Sequence, residues 1–146
     1  MGGTKVREVM TSNPRCVTPE TPVTEAARLM KSEDVGSLPI VEGDRVTGIV
    51  TDRDIVLNAV AEGKNPSGMP VREVASRELF KINAEEDLSS ALELMANQQV
   101  RRLPVVDDDG RLVGILAQAD IAREAKDKDS GQMLQDISQM PVGPRV

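Results

Sequence analysis

The stretch of this 146-residue chain richest in chemical possibility is Gly48-Ile49-Val50-Thr51-Asp52-Arg53-Asp54. A strand ends at Thr51 and a helix begins there, so free backbone N–H groups and the positive end of the helix dipole should face outward. Such an end receives an anion. The Thr51 hydroxyl can donate to a phosphate or a sugar oxygen, and the Asp54 carboxylate can accept both hydroxyls of a vicinal diol such as ribose. Arg53, between them, can serve as a phosphate counter-charge. Thr-x-x-Asp before an apolar run is equally a capping box, with Thr51 as N-cap and Asp54 at N3. Helix starts of that kind are common, so the tetrad needs its surroundings before it reads as a binding site.

Composition removes most other chemistries. The chain holds 18 basic and 24 acidic residues, for a formal charge of −6, with no His, Trp or Tyr, one Cys (Cys16) and one aromatic (Phe80). Without His there is no Ser-His-Asp or Cys-His nucleophile pair and no imidazole base. A closed zinc site needs about four Cys or His ligands. An acidic chain with a single aromatic lacks the electrostatic footprint and stacking platforms of a nucleic-acid binder. The polar N-terminus carries Val6 where myristoylation wants Ser or Thr, and has no apolar signal core behind it. No apolar run approaches the roughly 18 residues of a membrane span. The expectation is a soluble, cytoplasmic protein without membrane or nucleic-acid partners.

The elements that must position the tetrad come in two copies. Val6-Arg7-Glu8-Val9 recurs as Val71-Arg72-Glu73-Val74, a spacing of 65. At that spacing Glu20, Ala26, Leu29, Met30, Val35, Leu38, Pro39 and Val41 fall on Glu85, Ala91, Leu94, Met95, Val100, Leu103, Pro104 and Val106. One residue is then inserted in a turn, and Gly48, Ile49, Asp54 and Ile55 match Gly114, Ile115, Asp120 and Ile121. Val23, Ala26, Ala27 and Met30, like Leu88, Ala91, Leu92 and Met95, form the stripe of a short amphipathic helix. Leu38–Val41 and Leu103–Val106 read as buried strands leading through a turn into return strands Val46–Val50 and Leu112–Leu116, each followed by a second helix. A half of about 60 residues is marginal alone. An α/β (α+β) architecture is expected, two pseudo-twofold related β-α-β-β-α repeats packed through their sheets. The repeats are residues 6–63 and 71–126, joined by a linker at 64–70 and followed by a tail at 127–146.

Taken together, the two start helices, an h-x-T-P strand at Cys16-Val17-Thr18-Pro19, the Leu-Pro strands and G-h-h-T-x-x-D resemble a tandem CBS-domain pair, or Bateman module. Thr51-Asp52-Arg53-Asp54-Ile55 with Val100-Arg101-Arg102-Leu103-Pro104 is similar to small stand-alone bacterial members, including actinobacterial hypoxic-response proteins. The resemblance implies a non-enzymatic regulatory module for an adenosyl ligand: AMP, ADP, ATP or S-adenosylmethionine. It also implies a homodimer and an unidentified protein partner that reads the bound state. Carried over residue by residue, site A combines Thr51, Arg53 and Asp54 with Ile82, Asn83, Val100, Arg101 and Arg102, and Lys81 is a candidate for a phosphate chain. Site B combines Val17, Thr18, Val35, Gly36, Ser37, Ala117 and Asp120. Site B has Ala117 for Thr, Gln118 for Asp, and Gly36-Ser37 where the arginines stand, so it is expected to be the weaker. No metal site or cofactor is expected.

Two other classes compete with this reading. A constitutive protein-interaction module would fill both grooves with its own side chains. A hydrolase or nucleotidyl transferase would use Asp52 and Asp54 to hold Mg²⁺, but the chain has no P-loop. Met30 and Met95 are expected in the core, and Cys16 as a small buried hydrophobe. The Asp107-Asp108-Asp109-Gly110 run is expected to be a hairpin loop. Met133, Leu134, Ile137 and Met140 make a thin apolar stripe in the tail.

Overall fold

The computed structural model describes residues 3–76 and 78–127; the tail stripe at Met133–Met140 lies outside them. Helix and strand are mixed in an α+β fold. The elements are β1 (Thr11–Ser12), α1 (Val23–Glu33), β2 (Ser37–Glu42), β3 (Arg45–Thr51), α2 (Asp52–Ile55), β4 (Ile82–Asn83), α3 (Leu88–Gln98), β5 (Arg102–Val106), β6 (Leu112–Ala117) and α4 (Gln118–Asp127). The chain winds on from α2 through a π-helical stretch, Val56–Val60.

Both helical stripes face inward as their spacing dictates. Val23, Ala26 and Met30 are buried on α1, and Leu88, Ala91, Leu92 and Met95 on α3. Each helix ends in a left-handed residue at matching positions, Asp34 (φ 55°) and Gln99 (φ 55°). The hairpins repeat too. Ser37 pairs with Thr51 and Leu38 with Val50, as Arg102 pairs with Ala117 and Leu103 with Leu116. A bulge follows Ile40 in one and Val105 in the other. The acidic run is a turn, with Asp107 Oδ1 accepting from the Asp109 and Arg111 N–H groups, both at 2.9 Å.

The two compact units are not the two sequence repeats. Among the described residues one unit comprises 14–76 with 78–79, and the other 3–13 with 80–127. The opening segment of each repeat therefore packs on the body of the other. Val6 is fully buried in the core built by α3, β5 and β6, and Val71 is fully buried in the core built by α1 and β2. The anchoring bonds correspond one for one. Val6 N–H donates to Glu86 O (2.9 Å) and Arg7 N–H to Ala84 O (3.0 Å), while Val71 N–H donates to Thr21 O (2.8 Å) and Arg72 N–H to Pro19 O (3.1 Å). Arg7 pairs with Glu85 as Arg72 pairs with Glu20. The 64–70 segment is packed as well as connecting, since Met69 is buried and its carbonyl accepts from Val23 N–H at 2.8 Å.

Two expectations are corrected. Cys16–Pro19 forms no strand; Val17 makes one parallel bridge to Ile40, whereas its counterpart Ile82 lies in β4, paired with β5. Cys16 is exposed, not buried. Adjacent residues of extended chain point to opposite faces. Val17 takes the inward one.

Candidate functional site

Each unit carries one strand-to-helix junction. At the first, Thr51 closes β3 as the N-cap of α2. Its hydroxyl accepts from the Asp54 N–H at 3.0 Å, and Asp54 Oδ2 accepts from the Thr51 N–H at 3.0 Å. The capping box is complete. The expectation of free amides is not met, because Asp52 N–H donates to Gly36 O (2.9 Å) and Arg53 N–H to Asp52 Oδ1 (2.7 Å). The hairpin register puts Gly36 beside the first turn, and a short Asp side chain folds back on its neighbour. What the junction offers a ligand is side chains.

Of these, Asp54 is the most unusual. Its burial, helped by the Asp52 charge, raises the carboxyl pKa above the ordinary Asp value, against the opposing effect of the Thr51 hydrogen bonds and the Arg53 charge. Among the described residues no basic side chain forms an ion pair with it. A carboxylate withdrawn from water without a counter-charge is costly unless donors reach it. Thr51 is 7% exposed and Arg53 is exposed.

The second junction keeps the backbone and changes the chemistry. Ala117 stands for Thr51, so only half of the box remains, Asp120 Oδ2 accepting from the Ala117 N–H at 3.0 Å. Gln118 N–H donates to Arg101 O (2.9 Å), as Asp52 N–H does to Gly36 O. Asp120 is 8% exposed, and its Oδ1 is held by Arg123 Nη2 in an ion pair. Arg123 lies outside the sequence-based set. Its signal was its position three residues past Asp120, where the first repeat has Leu57 past Asp54.

The remaining candidates fall as follows. Gly36 and Ser37 adjoin the Thr51 junction, and Arg101 and Arg102, both half-buried, adjoin the Ala117 junction. A junction's immediate neighbours are thus those of its own hairpin, whereas the expected grouping of Thr51 and Asp54 with Arg101 and Arg102 draws on both units. Val17 and Ile82 spend their side chains in the cores, and Val100 packs against one. Asn83 is engaged by the adjacent turn, donating to Asp108 Oδ1 (2.9 Å) and accepting from Glu85 N–H (2.8 Å). Val35 is exposed. Val17 and Thr18 line a surface groove of about 480 Å³ with Arg15, Thr21, Arg28 and Leu29; it shares no residue with the Thr51 junction. Among the described residues no helix is long and apolar enough to cross a membrane.

Comparison with known proteins agrees with this fold. The CBS domain family model matches residues 6–60 and again 71–127. The CBS domain-containing protein YhcV of Bacillus subtilis is 41% identical over 138 residues, covering 94% of this chain and 97% of that protein. Hypoxic response protein 1 of Mycobacterium tuberculosis is 39% identical over 82% of this chain and 84% of its own length. Among solved structures, Hypoxic Response Protein I with two coordinated zinc ions superposes with a TM-score of 0.76 at 39% identity, over 82% of this chain and 98% of that one. The CBS domain pair of MJ0100, in complex with 5′-methylthioadenosine and S-adenosyl-L-methionine, gives 0.77 at 28% identity, over 86% and 98%. CBSX2 in complex with AMP gives 0.77 at 29%, over 87% and 99%. This chain has no His, and among the described residues no group of three or more His, Cys, Asp or Glu is placed to hold a metal.

Proposed function

Because this chain belongs to the CBS domain family as a tandem pair, we propose that it is a regulatory, non-enzymatic module that binds an adenine nucleotide at the Thr51–Asp54 junction. One observation carries the reading: Asp54 is a half-buried carboxylate with no cation paired to it among the described residues. A ribose diol brings two neutral donors to such an acid and stabilises its ionised form without a cation. With the first-turn amides already engaged, phosphate falls to guanidinium groups. Arg53 is at the junction; the resemblance to the family, rather than the geometry of either unit, adds Arg101 and Arg102. The bound ligands of MJ0100 and CBSX2 support the adenosyl class. AMP, ADP, ATP and S-adenosylmethionine all belong to it.

Calorimetric titration with AMP tests this. Wild type is expected to bind, and Asp54→Ala to weaken binding by about 10- to 100-fold, the loss of one charge-assisted interaction. Binding indifferent to that substitution overturns the proposal.

A second reading has its own observation. Val56, Leu57 and Val60, 54%, 44% and 61% exposed, form an apolar patch after α2. Such a patch serves association, with a second copy of the chain or with another protein. Size-exclusion of Val60→Glu against wild type separates self-association from a patch kept for a different partner.

A further inference from the structure

We infer that Arg123 is a lock built into the second junction, its guanidinium holding the one oxygen of Asp120 that a ligand's diol would need. The inference rests on the adenosyl reading above for the identity of the ligand, but not for the existence of the lock.

Both oxygens of Asp120 are already in use. Oδ2 accepts from the Ala117 N–H, and Oδ1 is taken by Arg123. The carboxylate is 8% exposed, so its counter-charge is supplied from within the helix and no outside donor is required. The first repeat is built differently at this point. Its residue three past the acid is Leu57, which can donate nothing, and Asp54 is left without an ion pair among the described residues. Charge-assisted bonds on a withdrawn carboxylate are stronger than neutral ones. Two neutral hydroxyls therefore do not displace the guanidinium without loss. The lock is nevertheless reversible, because the Arg123 side chain is 71% exposed and can swing into solvent. A ligand with a phosphate beside its diol can take over the released guanidinium; a neutral nucleoside cannot. Arg123 thereby sets which adenosyl compounds the second junction admits, and rejects the uncharged ones.

The probe is adenosine, titrated calorimetrically into two variants in which the first junction is disabled. Against Asp54→Ala alone, the double variant Asp54→Ala/Arg123→Leu is expected to bind adenosine at least about tenfold more tightly, the size of one charge-assisted bond no longer competing. Equal or weaker binding overturns the lock. A cycle read without any ligand decides the same question if no nucleoside binds. Asp120→Asn, Arg123→Leu and their combination, unfolded in urea, should be non-additive, since residues in contact couple. Additive effects overturn the lock. Coupling found in a protein that binds neither adenosine nor AMP sustains it, and discards the adenosyl reading instead.

Discussion

The Thr51 and Ala117 junctions are the same piece of backbone used twice. In both, a strand residue caps a helix, a carboxylate three residues on reaches back to the cap's N–H, and the next N–H donates to the carbonyl that precedes the neighbouring strand. The side chains then part company. The first junction has a complete capping box around an acid that makes no ion pair among the described residues; the second has half a box around an acid ion-paired to Arg123. Hairpin register preserves the frame, because a one-residue slip would turn every side chain of the strand to the wrong face. Two replacements, Thr to Ala and Leu to Arg, change what that frame can hold.

The largest asymmetry expected between the copies is at the strand glycines. A Cβ on Gly114 would lie 2.9 Å from Thr11 O and 2.5 Å from Met10 Sδ, while one on Gly48 would meet only the Ile40 side chain, its nearest atom Cδ1 at 3.5 Å. Gly114→Ala should cost about 2–3 kcal/mol by overpacking against the chain that forms β1, and Gly48→Ala far less. Equal urea midpoints for the two variants would break the comparison. Next comes the cap itself. Thr51→Ala should lose about 1 kcal/mol, and Ala117→Thr should gain up to that amount if the second junction accepts the missing half of its box. Smaller still is the effect at the helix ends, where Gln99→Gly should stabilise by about 0.5–1 kcal/mol and Asp34→Gly by less, because Asp tolerates the left-handed region better than Gln. Thermal melts report both.

The last prediction is a slope. Asp54 has a folded pKa raised by burial, so the native state binds the proton more tightly than the unfolded chain does. Its contribution is fully present below the ordinary Asp value near 3.9 and is lost as pH rises through the raised folded value. Asp54→Asn removes this dependence and retains an oxygen to accept from Thr51 N–H. The stability difference between wild type and Asp54→Asn should therefore move against wild type as pH climbs from about 4 toward 7. A difference flat in pH would show that the acid is not withdrawn from water.

Much of this was legible in the residues. The repeat, the helical stripes and the hairpins were all readable, since periodicity and turn chemistry are local signals. So was the Thr51–Asp54 box, which needs only a spacing of three. What escaped notice depends on distant or competing partners. Val6-Arg7-Glu8-Val9 and Val71-Arg72-Glu73-Val74 are identical, so no pattern within them tells which body each will seal. The amides at the helix start were expected free, but Gly36 O and the Asp52 carboxylate intercept them. Cys16 and Val17 are adjacent apolar residues on extended chain, and only one of them can face the core. Arg123 lies past the motif that drew attention to Asp120, and only its contrast with Leu57 at the matching position of the first repeat singles it out.

The exchanged opening segments also constrain how such a protein can be cut or inherited. A lone copy would be missing the strip that plugs its own interior and could fold shut only by borrowing it from a twin. Joining two such borrowers in one polypeptide makes an encounter that depended on dilution into an intramolecular certainty. A cut at the repeat boundaries, 6–63, separates a core from its strip, whereas a cut at the bounds of the compact unit, 14–76 with 78–79, keeps Val71 with the core it seals.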